Sequence, residues 1–329
     1  MKKYYIVFGI LVVLGLLAGA WIIFRPAATL LPKGAGYSGV VEMTLGKEGG
    51  TQSLYAFDVA SEALEKGKNI TPYTDITKVT SPDGVYVAVA TAYGSVPMTI
   101  SVLNLQTGDF TLVSKNTLAY KRAPHWSADG KQIAYIAAGE SEAPYTIDTP
   151  EYWHVYVANA DGSGEKEITR GTNPLFSPDG KSLLVLQKDG LHAFSLADGT
   201  GTLIFPVQNA NGTGGAGTHM ALALSEKRDM LAWSNSFSAG GKGELLVFTI
   251  TWAPLRLAVF KAFAAPATTI AFSPDGKMLA GLSNGYALSP VPDAPQLLFF
   301  DLQTSDVIPA LDLTGFDVGN SWVTGWNIR

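Results

Sequence analysis

One tetrad recurs along this chain at nearly constant spacing. Ser81-Pro82-Asp83-Gly84 returns as Ser127-Ala128-Asp129-Gly130, Ser177-Pro178-Asp179-Gly180 and Ser273-Pro274-Asp275-Gly276. A degraded copy stands at Ser225-Glu226-Lys227-Arg228-Asp229. The serines are 46, 50, 48 and 48 residues apart, and one more step of 48 lands on Ser321. A chain with such a period must build one supersecondary unit again and again, stacking copies to bury faces that no copy can bury alone.

The units share a grammar. A short apolar or aromatic stretch runs into the serine, the turn follows, and an alternating apolar strand comes next, over 85–90, 132–137, 182–186, 230–233 and 278–282. A variable loop leads to a second strand over 100–105, 154–158, 191–196, 245–250 and 296–302, and a short last strand closes the unit, as at Glu167-Ile168-Thr169. Alternation bounded by Gly, Pro, Asp and Asn is the strand signal. The 35 glycines and 18 prolines fit a chain full of turns. No sustained helical period appears after residue 30, although residues 61–66 (SEALEK) read as one helical turn. In the tetrad, Pro presets the first turn position, Asp bonds the local backbone and Gly takes the left-handed position. Asp83, Gly84, Asp129, Gly130, Asp179, Gly180, Asp275 and Gly276 are therefore structural turn residues rather than calcium ligands or catalytic acids. Asn159-Ala160-Asp161-Gly162 reads as a hairpin turn within its unit.

A period of 46–50 residues is that of a propeller blade. The repeats WSADGKQIAYIA, FSPDGKSLLVLQ and FSPDGKMLAGLS, with the following YVANADGSGEKEIT, resemble the WD40-like PD40 repeat of TolB-type β-propellers. The resemblance covers residues 38–329. It implies an all-β, six-bladed β-propeller, and it says little about function. TolB-type proteins carry an α/β domain before the propeller. Here only a tether stands in that place, so their partners are not carried over. Five blades start near residues 75, 121, 171, 218 and 266. The sixth combines late strands from 38–72 with the C-terminal GNSWVTGW, so that strands from both termini close the ring. Trp322 and Trp326 are then packing residues.

The N-terminus points to a membrane. Lys2 and Lys3 precede a charge-free apolar run over residues 4–24, about 31 Å long as a helix, enough to cross a bilayer. Tyr4, Tyr5 and Trp21 sit near its ends and Arg25-Pro26 stop it. The charges before the run keep the N-terminus cytoplasmic. Residues 1–25 thus read as a single-pass anchor, 26–37 as a tether, and the propeller lies on the periplasmic or extracellular side. A cleaved signal peptide, with its site at Ala18-Gly19-Ala20, is the competing reading. Lipid bilayer is accordingly an expected partner through residues 4–24.

Composition narrows the chemistry. Without Lys2, Lys3 and Arg25 the chain has 20 basic and 28 acidic residues, a formal −8, the wrong sign for nucleic acid. Zero cysteine excludes disulfides, thiolate nucleophiles and zinc–thiolate sites. There is no G-x-S-x-G elbow. Gly180-Lys181-Ser182 lacks the first glycine of a phosphate loop, and the G-x-G-x-x-G at 212–217 lacks its strand and helix. His125, His154, His192 and His219 do not pair at metal-ligand spacing, so no cofactor or metal is expected.

The tetrad turns occupy one face of a propeller. The opposite face collects the longest irregular segments, at 139–153, 209–218, 236–243 and 284–295. Tyr145, Tyr152, Trp153 and Tyr286 are the expected contact aromatics there, with Glu142, Asp148 and Glu151 as an acidic rim. The expected function is non-enzymatic binding or scaffolding of an envelope protein, peptide or glycan. The alternative is a polysaccharide lyase or hydrolase with its site at the channel mouth.

Overall fold

A computed structural model describes residues 38–46, 52–70, 78–93, 96–140, 150–206, 217–237, 243–265, 267–283, 296–313 and 316–327. The strands form six four-stranded antiparallel sheets. Blade 2 holds Lys78–Thr80, Tyr86–Tyr93, Val96–Asn104 and Phe110–Leu112. Blade 3 runs from Tyr120–Trp126 to Lys166–Arg170, and blade 4 from Thr172–Phe176 to Gly201–Pro206. Blade 5 runs from Gly217–Leu224 to Leu255–Phe263, and blade 6 from Thr269–Phe272 to Val307–Asp312. Blade 1 is composite: Asp317–Asn327 pairs with Val40–Gly46, which is followed by Gln52–Asp58 and Ala63–Ile70. The first strands of successive blades touch, so they surround the axis. This is the expected six-bladed β-propeller, closed by strands from both termini.

The core lies in the slots between blades. Ile133, Tyr135 and Ala137 point one way, against Ala88, Ala90 and Ile100 of blade 2. Ala134, Ile136 and Ala138 point the other way, against Phe176, Leu183 and Val185 of blade 4. Second strands therefore read as unbroken apolar runs, because both faces of the sheet are covered. Alternate side chains still separate cleanly: Leu183 and Val185 face blade 3, while Leu184 and Leu186 face blade 5.

The tetrads do one job. In each, the serine N–H donates to the carbonyl five residues on, and its hydroxyl accepts from that residue's N–H. The same hydroxyl donates to the turn carboxylate: Asp83, Asp129, Asp179 and Asp275 at 2.5–2.7 Å, and Asp229 at 2.9 Å. These donors hold Asp129 and Asp179 below the usual carboxylate range. Gly84, Gly130, Gly180 and Gly276 have φ between 67° and 73°, where a Cβ is strained. The hairpin at residues 159–162 also forms, Gly162 N–H donating to the Asn159 carbonyl at 2.8 Å.

One expectation is corrected. Residues 63–66 are not helical but begin the outer strand Ala63–Ile70. Pairing with Gln52–Asp58 outweighs a one-turn helical pattern, which cannot nucleate alone. Ser321, one period beyond Ser273, lies within the strand Asp317–Asn327, the lone first strand expected there. In the other blades the residue before the serine pairs with the residue seven further on, as Trp126 with Ile133; in blade 1 the matching pair is Trp326 with Val41. A chain break replaces the turn there, between Asn327 and Gly39.

Closure is tightly built. Trp326 is buried, stacks on Phe299 at 5.0 Å, and donates from Nε1 to the Ser38 carbonyl at 3.1 Å. Gly39 has φ 106°, and a Cβ there would lie 2.6 Å from the Asn327 carbonyl oxygen. The Trp322 side chain lies outside the described residues. We expect Trp326→Ala to cost about 3–5 kcal/mol in denaturant unfolding. Deletion of residues 321–329 should abolish the single cooperative transition. A truncated chain that melts like the intact one would refute the closure scheme.

Candidate functional site

All connections on the tetrad face are short. The ends flanking the long segments (140 and 150, 206 and 217, 237 and 243, 283 and 296) all lie on the other face. Of the expected contact residues, Glu142, Tyr145, Asp148 and Tyr286 lie outside the described residues. Glu151, Tyr152 and Trp153 are described.

These three do not act together. Pro150–Tyr152 forms a single 3-10 turn between blades 3 and 4. The Arg170 guanidinium donates to the Glu151 carbonyl at 2.8 Å, and Gln187 Nε2 donates to the Arg170 carbonyl at 2.7 Å. Tyr152 is 42% exposed, and the exposed Glu151 carboxylate stands 3.7 Å from Lys188 Nζ. Trp153, however, is 1% exposed and packs with Ala134, Ile136, Val155 and Phe176. It is a core residue, not a contact aromatic. The turn that presents Tyr152 outward directs the next side chain inward.

Beside the turn the structure gathers polar residues that the sequence reading did not group. His154 Nδ1 lies 2.8 Å from Glu167, which also accepts from the Tyr156 hydroxyl at 3.3 Å. His192 Nε2 lies 2.8 Å from Asp189. With Glu151, Tyr152 and Lys188 they make a rim of donors, acceptors and one aromatic face over blades 3 and 4. Such a rim can bind by hydrogen bonds and stacking. Strand pairing brings Glu167 to His154 and Tyr156, while the tight turn between Gln187 and Gly190 brings Asp189 to His192. Among the described residues no group of three His, Asp or Glu is placed to hold a metal ion.

At the other end of the axis His125 is half-buried, stacks on Phe176, and its Nδ1 faces the Phe176 N–H at 3.4 Å. Burial first, and then the Arg228 charge, drive its pKa down to about 3.

Comparison with protein-family models finds no match, and comparison with curated proteins finds none either. Solved structures do match. TolB from Acinetobacter baumannii aligns with a TM-score of 0.60 at 16% identity, over 88% of this chain and 67% of that one. A putative TolB from Agrobacterium tumefaciens gives 0.55 at 14% identity, over 88% and 94%. Oligogalacturonate lyase from Vibrio parahaemolyticus gives 0.58 at 9% identity, over 88% and 84%. These likenesses show the fold. The six-bladed β-propeller expected from the repeat is the one observed, and the same architecture is found in TolB proteins and in a lyase.

Two outcomes check this placement. Trp153→Ala should lose about 3–5 kcal/mol of stability and Tyr152→Ala less than about 0.5, whereas Trp153→Phe, which removes a buried indole N–H without a partner, should be close to neutral. For His125, the unfolded chain takes up a proton below pH about 6.5 that the folded chain refuses until about 3. Stability should therefore fall as pH drops through that window, and His125→Gln should flatten the fall in unfolding midpoints measured from pH 7 to 4.

Proposed function

We propose that this chain is a membrane-anchored, extracytoplasmic binding module that engages an envelope protein, peptide or glycan through its long-loop face. The observation that carries this reading is the asymmetry of the ring. One face is sealed by short hydrogen-bonded turns, and the ends that flank every long segment lie on the other, the face that carries Glu151 and Tyr152. Binding residues concentrate on loops held by a rigid scaffold.

The point of chain entry supports the same orientation. Ser38 and Gly39 stand where the other blades have a tetrad turn, so residues 1–37 leave from the tetrad face. Residues 4–24 would hold that face toward a bilayer, on a tether of 12 residues that spans at most about 40 Å. The long-loop face then points away from the lipid, toward partners. Among the described residues no helix is long and apolar enough to cross a membrane; residues 4–24 lie outside them. TolB-type neighbours favour a binding module. A lyase reading is favoured by the likeness to oligogalacturonate lyases alone.

Crosslinking in native membranes, followed by capture of the tagged full chain, tests this. We expect one predominant partner, and at least tenfold less of it with Glu151→Ala/Tyr152→Ala, a pair whose exposure leaves folding intact. No partner, together with release of unsaturated uronides from polygalacturonate by the full chain, would replace binding with the lyase reading.

A further inference from the structure

Arg228 breaks the repeat. Four tetrads carry glycine in the left-handed position, and the fifth carries arginine with φ 56°. Its turn is otherwise intact. The Arg228 N–H donates to the Ser225 carbonyl at 2.8 Å, and Asp229, two residues later than its counterparts, still accepts from the serine hydroxyl. The arginine carbonyl is held by Trp252 Nε1 at 2.7 Å. A side chain has been placed where local geometry favours none, and its backbone is fixed.

The direction of that side chain follows from the ring. A Cβ built at Gly130 would approach Pro82 at 3.8 Å, and one at Gly276 would approach Met230 at 3.1 Å, each in the preceding blade. Arg228 likewise reaches back over blades 4 and 3. Its Nη1 donates to the Phe176 carbonyl at 2.7 Å and its Nη2 to the Trp126 carbonyl at 3.3 Å. Both carbonyls belong to the last residues of first strands, so the guanidinium lies on the axial rim of the tetrad face. It is partly exposed there. Its fixed partners are neutral, and no carboxylate among the described residues pairs with it. A guanidinium offers five N–H donors, so two carbonyls leave a donor edge open. His125 beside it is half-buried and uses its Nδ1 as an acceptor from the Phe176 N–H, so it supplies no competing anion.

We propose that Arg228 makes the tetrad-face mouth of the central channel a binding site for a carboxylate monoanion. The two carbonyls fix the plane of the fork, and a carboxylate matches the fork's geometry in bidentate fashion. A single cation is neutralised by a single negative charge, which selects a monoanion over a phosphate dianion in this half-desolvated place. Peptide C-termini and uronic acids share this group. The site is independent of the long-loop face and of whatever binds there.

The test uses the full chain in detergent micelles at constant ionic strength. The probes are an acetylated triglycine with a free C-terminus, its C-terminal amide, galacturonate and phosphate, followed at the Arg228 Nε–H resonance and by thermal midpoint. Wild type should give a saturable shift and a rise in midpoint with the two carboxylates, and neither effect with the amide. Arg228→Gly restores the residue that the four sister turns carry and should fold; carboxylate affinity should fall at least tenfold, read from the midpoint. Arg228→Lys keeps the charge without the fork and should fall between the two. Whichever of the peptide and the uronate binds more tightly names the source. Equal midpoint shifts in wild type and Arg228→Gly, no response to either carboxylate, or tighter binding of phosphate would each overturn the proposal.

Discussion

Each blade between blade 2 and blade 6 buries both faces of its sheet against its neighbours. Ile133 and Ile136 sit one turn of the pleat apart and serve different slots, as do Leu183 and Leu184. No blade has a core of its own, so a blade without neighbours would expose two apolar faces. Stability is therefore a sum of interfaces between adjacent units, and the ring must close for the last interface to exist. The pairing of Asp317–Asn327 with Val40–Gly46 supplies that closure, and the slot it completes holds Val41, Met43, Phe299 and Trp326.

Closure also decides where function can sit. In a closed ring the inner sheet edges are short and protected around the axis, so recognition falls to the two ends of the axis and to the loops. The tetrad end is spent on the serine–aspartate–backbone bonds of five turns, with Arg228 as its one departure. Among the described residues of the long-loop end no such recurring bond is repeated from blade to blade. Even there the fold overrules composition: adjacent residues Tyr152 and Trp153 have opposite fates, because a single 3-10 turn between two blades can present only one of them to solvent.

Much of the architecture is legible in the residues. The tetrads mark the hinges between first and second strands, their spacing counts the blades, and the apolar runs after each turn mark the most buried strands. The outer strand at Ala63–Ile70 is not legible, since its charged sequence suits a helix as well and only pairing with its neighbour chooses. The position of the closing turn is not legible either, because it is a chain break whose two sides are 288 residues apart, bridged by the Trp326–Ser38 bond.

By itself the sequence determines the repeat, the number of blades, the turn chemistry and an N-terminal run apolar enough for a bilayer. These depend on local spacing and on the conformational limits of Pro, Asp and Gly, which no tertiary context alters. Only the tertiary structure decides which distant side chains share a place: Glu167 with His154, and the Arg228 guanidinium with carbonyls 52 and 102 residues away. Those meetings are set by strand register and by the curvature of the ring, and neither is written in the spacing of any motif.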